Sequence, residues 1–319
     1  MTGYIIRRLI GLFLVLLAVS VIVFFLMNAV PGGPFQLGER GLSGPALENM
    51  LRKYGMDKPV TERYWNYLTS TLQLDFGNSF TIAGNPAVRD VIGRTWPVTI
   101  HVGIYTIGLA FGVGFILGLI AAYYRNSWID NIVTLTATMG ITLPNFIIAT
   151  WLLLIFGYQI GWGNPSKWII PPLFGQGPAL LSSDYFLPVI TYALAPMALV
   201  ARYTRSSVAE ALGADFIRTA RAKGLSERRI LFGHVLRNAL IPMVTILLPQ
   251  IPNILTGSLF IEVTYGIPGL GKFFITSIFA RDYPMIMGLV LLVAFFWGLT
   301  YLLTDILYTM IDPRVRVTA

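Results

Sequence analysis

"LIGLFLVLLAVSVIVFFLMNAV" (Leu9–Val30) holds twenty-two residues without one charge, and its only polar side chains are Ser20 and Asn28. A helix that crosses a bilayer needs roughly 20 apolar residues, so this run reads as a membrane span. A cleaved signal peptide has an apolar region of only ~7–15 residues before a small-x-small site. The adjoining "NAVPGGP" (Asn28–Pro34) offers no such site, and the helix is expected to be retained.

Five more stretches share this character, at about 97–124, 132–157, 186–203, 240–262 and 284–308. The expected fold is therefore all-α, an integral membrane protein with six transmembrane helices in one domain over residues 1–319. Composition agrees, because 55% of the chain is hydrophobic and only 12% charged, against about 25% charged in a soluble domain. Lipid is thus expected as part of its solvent. Cysteine is absent, which excludes disulfides, thiolate metal sites and cysteine nucleophiles.

Orientation is set by the basic residues. Arg7, Arg8, Arg125, the loop with Arg202 to Arg237, and the tail with Arg314 and Arg316 all fall on one side. The other side has Lys167, Lys272 and Arg281, plus the long segment 31–96, whose basic residues are nearly offset by Glu39, Glu48, Asp57, Glu62, Asp75 and Asp90. Both termini are expected in the cytoplasm, and 31–96 is expected outside. Within it, one short amphipathic helix begins at Ser43, presents Leu47, Met50, Leu51 and Tyr54 on one face and stops at Gly55. A second opens at Pro59, with Tyr64, Tyr67, Leu68 and Leu72 at helical spacing.

Several spans carry more than an anchor needs. Gly108/Gly112 and Gly114/Gly118 form two small-residue pairs on different faces of the second span, suited to close packing inside the chain or against another subunit. Pro144, Pro196 and the Pro249/Pro252 pair lie at membrane depth, where freed carbonyls must face protein or a wet cavity. Gln250, Asn253, Thr256 and Ser258 cluster beside the last pair and are read, on polarity, as pathway-lining. His101 and His234 sit far from any midplane relay, which disfavours proton coupling.

Enzymatic chemistry finds little support. "GIPGLGKF" (Gly266–Phe273) nearly matches a phosphate loop but has Phe273 where the Mg²⁺-binding hydroxyl belongs. Two histidines 133 positions apart leave no His-based metal site, and no G-x-S-x-G occurs. The chain is not expected to be an enzyme by itself, and neither metal nor cofactor is expected in it.

The basic loop 204–237 is the remaining feature. Gly213 and Gly224 bracket "ADFIRTARAK", in which Phe216, Ile217 and Ala220 share a face and Arg218 and Arg221 flank it. Asp215 in the first turn and Lys223 in the last suit the helix dipole, and a second short helix is expected from Ser226. With no aromatic stacking platform beside the charges, nucleic acid is not the expected partner. A lipid-touching loop and a protein-docking knob both remain open on the residues alone.

At these residues the chain resembles the inner-membrane permease subunits of binding-protein-dependent ABC importers, in the first-permease type of the dipeptide/oligopeptide/nickel subfamily. The family's loop motif is E-A-A, three residues, then Gly. Here "RTARAKG" (Arg218–Gly224) stands in that place, with Arg218 where Glu is usual, a form similar to the peptide permeases. "YGMDKPVTERYWNYL", "IEVTYGIPGLGKF" and the closing "DPRVR" (Asp312–Arg316) are similar too, so the likeness covers the whole chain. It implies an ABC type I importer permease in a bacterial or archaeal inner membrane that carries peptides, with nickel or another small solute as the alternative; outside the resemblance, a self-sufficient channel is the other reading. The resemblance also implies a second homologous permease, two cytoplasmic ATPases that bind the ATP and Mg²⁺, and an extracytoplasmic binding protein. Asp215, Phe216, Ile217, Arg218, Thr219, Ala220, Arg221, Gly224 and Arg228 are then the ATPase-coupling residues, with Phe216, Ile217 and Ala220 expected to fill a groove on the ATPase.

Overall fold

The structure is a computed structural model that describes residues 2–31, 33, 44–161, 183–240 and 248–311. Among these residues the regular structure is helical, joined by turns and loops, and the one β feature is an isolated bridge between Asn78 and Ala87. The helices are α1 (Thr2–Ala29), α2 (Pro45–Lys53), α3 (Val60–Thr71), α4 (Val88–Tyr123), α5 (Trp128–Thr142), α6 (Asn145–Leu152), α7 (Ser183–Gly213), α8 (Asp215–Ala222), α9 (Glu227–Ile230), α10 (Gln250–Leu255), α11 (Leu259–Thr264), α12 (Leu270–Ala280) and α13 (Tyr283–Ile311).

Four helices are long and apolar enough to cross a membrane: Gly3–Ala29, Val88–Tyr123, Tyr185–Gly213 and Tyr283–Ile306. They match the first, second, fourth and sixth expected spans. The third is α5 joined to α6 and its π-helical extension to Gln159, bent by 102° at a short break. Its cause is Pro144, whose fixed φ of −60° and missing N–H leave Leu143 in extended backbone. Pro188 and Pro196 by contrast lie within an unbroken α7.

The expected fifth span, 240–262, requires correction. Residues 241–247 lie outside the described residues. Beyond them the chain forms two short helices in place of one, α10 and α11, separated by Gly257 at φ +93°. A side chain at Gly257 would meet Glu262 Oε1 at 2.6 Å, so both backbone angle and space demand glycine.

The chain divides into two compact units. The first comprises 1–97 and 269–299. In it α3 packs on α1, where Phe24 meets Tyr64 edge-on at 5.3 Å and Ser20 bonds the Tyr64 hydroxyl at 2.9 Å. α2 and α3 are the two short helices expected within 31–96, with Pro59 as the N-cap of α3 and Gly55 at φ +64° after α2. The expected start at Ser43 lies outside the described residues, and the helix is seen from Pro45. A core of Val88, Val91, Ile92, Leu270, Met285 and Leu289 joins α4, α12 and α13.

The turn after α3 is held by Asp282, the residue before α13. Its Oδ2 accepts from the Ser79 hydroxyl, from Phe80 N at 3.1 Å, and from Thr81 N and Oγ1 at 3.3 and 2.9 Å. Its Oδ1 takes Met285 N at 3.3 Å and so caps α13.

The second unit comprises 98–268 and 300–318. Here Gly114 and Gly118 of α4 lie against α7. An added Cβ would meet Met197 O and Ala201 O at 2.6 Å, so this pair serves internal packing. At Gly108 and Gly112 a Cβ would meet no described atom within 4 Å.

Candidate functional site

The basic loop is built as two short helices on the end of α7. α8 starts two residues after Gly213 and is closed by Gly224, whose φ of +75° suits the left-handed C′ position. Two bonds close that end: Leu225 N to Ala220 O at 3.3 Å and Gly224 N to Arg221 O at 2.9 Å. This 6→1 and 5→2 pair is the Schellman arrangement. Ser226 then stands at the N-cap position of α9 in extended backbone, without a side-chain cap bond, and the second short helix starts where the sequence predicts.

Burial divides the expected knob. Ile217 is fully buried and Ala220 nearly so, packed with Ala122, Val208, Ile230 and Val235 of the same chain. Phe216, Arg218, Thr219 and Arg221 face outward, and Phe216 is 43% exposed. Ile217 and Ala220 are therefore corrected: they hold the helix down and cannot also fill a groove on a partner. The physical reason is burial of apolar surface, which α7 and α9 already provide for that face. Phe232, in the π-helical turn after α9, adds a second exposed aromatic that the sequence pattern did not single out.

Charge organises the rest. Arg221 reaches across the turn to Glu227 with a forked contact, Nε to Oε1 at 2.9 Å and a second nitrogen to Oε2 at 3.3 Å. That hydrogen bond first, and the opposite charge with it, hold the Glu227 carboxyl below its ordinary range and raise Arg221. Asp215 lies 3.4 Å from Arg218 in a fully solvated pair. Arg228 and Arg229 are exposed.

The same unit contains an ion pair, its carboxylate buried and its guanidinium partly exposed, with no counterpart among the expected site residues. Asp130 at the start of α5 accepts a bidentate fork from Arg205 of α7, one arm at 2.7 Å, and also takes Asn126 N at 2.9 Å. Ser127 caps α5 by accepting Asp130 N. The Ser-x-x-Asp pattern at 127–130 was a signal for the helix start, but nothing local pointed to Arg205. Through this pair the 125–130 turn is clamped to the helix that carries α8.

The four residues read as pathway-lining share one segment with different surroundings. Thr256 Oγ1 bonds Pro252 O at 2.8 Å, and Ser258 Oγ accepts Ile261 N to cap α11. Both hydroxyls serve the backbone of the broken helix. Asn253 is exposed, and its carbonyl accepts from Tyr192 at 2.9 Å. Gln250 is half-buried at the start of α10. Nearby, buried Glu262 accepts from Thr99 at 2.9 Å. Tyr265 bonds Thr191 and Ala149 O, joining α7 and α6 at one hydroxyl.

A chain of the MetNI methionine ABC transporter, solved in inward-facing conformations, shares the fold with a TM-score of 0.53 at 17% identity, over 70% of this chain and 97% of that one. Residues 114–317 match the inner membrane component of binding-protein-dependent transport systems, and residues 1–102 match the N-terminal part of such components. The chain belongs to that family, and is a multi-pass protein of the inner membrane. Among its relatives is the dipeptide transport system permease protein DppB of Bacillus subtilis, 38% identical over 99% of both chains. The oligopeptide transport system permease protein OppB of Salmonella typhimurium is 36% identical over 99% of this chain and 100% of its own. The glutathione transport system permease protein GsiC of Pectobacterium atrosepticum is 36% identical over 99% of both.

Proposed function

We propose that this chain is a translocation subunit of an ATP-driven importer of dipeptides or oligopeptides, and that α8 couples it to the ATPase. The observation that carries the substrate class is end-to-end similarity to dipeptide and oligopeptide permeases. The coupling role is supported by the division of α8 into a buried anchor, Ile217 and Ala220, and an exposed face with Phe216, Thr219 and the arginines.

In this reading the pathway forms with a second, homologous permease, and Gly108 and Gly112 present it a helix face that backbone can approach closely. Two cytoplasmic ATPases hold the ATP and Mg²⁺, and the permease has no catalytic site of its own. An extracytoplasmic binding protein delivers the peptide. Closure of the ATPases displaces α8, and because Ile217 is packed into the same core as Val208 of α7, the displacement is carried into the spans rather than lost in the loop. Nucleotide thereby biases a bistable helix bundle.

The test is reconstitution of the full complex in vesicles with binding protein and a labelled dipeptide. Phe216→Ala is expected to leave assembly intact and to reduce ATP-driven uptake by about tenfold, the order set by one interfacial aromatic anchor. Wild-type uptake by that variant, in a complex shown to contain it, refutes the coupling assignment.

A further inference from the structure

The first unit contains a cavity of about 640 Å³ between the C-terminal end of α1, the loop after α2, α3 and the start of α13. These are the ends of two spans, so the cavity opens where the membrane meets water. One wall is apolar and aromatic, with Phe24, Met27, Phe80 and Met287. The polar wall carries Lys53, Lys58 and Arg63 against a single carboxylate, Asp75, whose Oδ1 is already bonded by Gly77 N at 3.0 Å.

Among the described residues, two of the cations have no carboxylate partner. Arg63 is half-buried, and its guanidinium donates to an amide, Asn28 Oδ1, at 2.6 Å. Lys53 rests 5.5 Å from the centre of the Tyr54 ring without an ion pair. Lys58 is matched by Glu62 at 2.7 Å. Tyr67, stacked on Phe24, buries its hydroxyl near that of Thr71. Burial pushes that phenol up to about 12, so it stays a donor at neutral pH. A half-buried arginine with no counter-anion among the described residues, beside an exposed lysine, is a poor way to stabilise a fold and a good way to hold a phosphate.

We propose that this cavity binds the headgroup of an anionic phospholipid, the phosphodiester on Arg63 and Lys53 and the upper acyl chain on the Phe24/Met27 wall. A soluble anion fits the charges but leaves the apolar wall unused. The surrounding surface fits the lipid: Trp65, Leu72 and Leu74 in and after α3 are all more than 60% exposed, as in a segment that lies on an interface.

The test uses the full chain in a neutral detergent, with dioctanoyl phosphatidylglycerol, dioctanoyl phosphatidylcholine, inorganic phosphate and a dipeptide as separate probes. Binding is read as thermal stabilisation and as adduct mass in native mass spectrometry. Phosphatidylglycerol is expected to bind at least about tenfold more tightly than phosphatidylcholine. That preference should vanish in Arg63→Gln/Lys53→Gln, persist in Arg89→Gln, and survive in reduced form in Arg63→Lys, which keeps charge but loses the fork. Lys53→Gln alone, at an exposed site, gives a variant that folds and should still lose several-fold. Equal binding of the two lipids, or a preference unchanged in the double variant, overturns the proposal. So does equal stabilisation by phosphate or by the dipeptide, which would make the site one for a soluble anion or for the substrate.

Discussion

Replacing Asp282 by alanine should open the turn at 77–88 without unfolding the spans. The wild-type carboxylate is fully buried and accepts four hydrogen bonds at one oxygen and a helix cap at the other. A hydrogen bond to a charged group contributes about 1.5–3 kcal/mol, and a lost cap costs about 0.5–2 kcal/mol. Solvent reaches the exposed Thr81 once the turn loosens and recovers part of that, whereas buried Ser79 keeps its penalty. The net local cost is about 3–4 kcal/mol, or a few hundredfold in the opening equilibrium. The chain has no cysteine, so a single cysteine at fully buried Val88 reports this opening by its maleimide labelling rate. Labelling in the Asp282→Ala background should be faster by at least about a hundredfold. Asp282→Asn should fall between, because one amide oxygen can face the four donors while the cap is lost. A rate within threefold of the parent would refute the reasoning, since it would mean the five bonds hold nothing that water does not replace.

Ile217→Ala removes a fully buried side chain and should cost about 2–5 kcal/mol in thermal unfolding, whereas Phe216→Ala should leave the melting temperature within a degree or two. Asp130→Asn, which strips the charge partner from the partly exposed Arg205, should cost about 1–3 kcal/mol in detergent unfolding, and an Arg205→Lys variant should not restore the forked geometry. Gly118→Val places carbon atoms where Ala201 O lies 2.6 Å from an ideal Cβ, so about 1–3 kcal/mol of overpacking is expected; Gly112→Ala, with open space, should be neutral or slightly stabilising in the same melt. The Arg221–Glu227 clasp depends on pH. Because the folded Glu227 carboxyl titrates below its ordinary value, its contribution is complete above about pH 4.5 and is lost as pH falls through the lower, folded value. Protection factors at Gly224 and Leu225, taken relative to the intrinsic exchange rate at each pH, should therefore fall on acidification in the parent but not in Glu227→Gln.

Features that depend on contiguous residues were legible in the sequence. The four long helices arise from unbroken apolar runs, and α8 from its two bracketing glycines. Periodicity also placed Ile217 and Ala220 on one face of α8, yet could not tell whether that face meets the chain's own core or a partner. Moments and spacing describe a stripe without naming what covers it. Pro144 and Pro196 look alike in sequence at membrane depth, but only the first bends its span, because surrounding helices decide whether freed carbonyls are re-satisfied. Asp130 and Asp282 were invisible as structural centres for another reason. Their partners stand 75 and 203 positions away, and no local pattern encodes such pairs.

The 203-residue reach from Ser79 to Asp282 also bears on how the protein is made. During synthesis the turn that contains Ser79, Phe80 and Thr81 leaves the ribosome long before its acceptor exists. The first compact unit joins residues 1–97 to 269–299, so its two halves are translated with the bulk of the second unit between them. A nascent chain stalled before α13 therefore carries a turn whose donors have only water to bond and a core missing Met285 and Leu289. The arrival of one aspartate just ahead of the last span is the event that gives those donors their acceptor and lets the unit close.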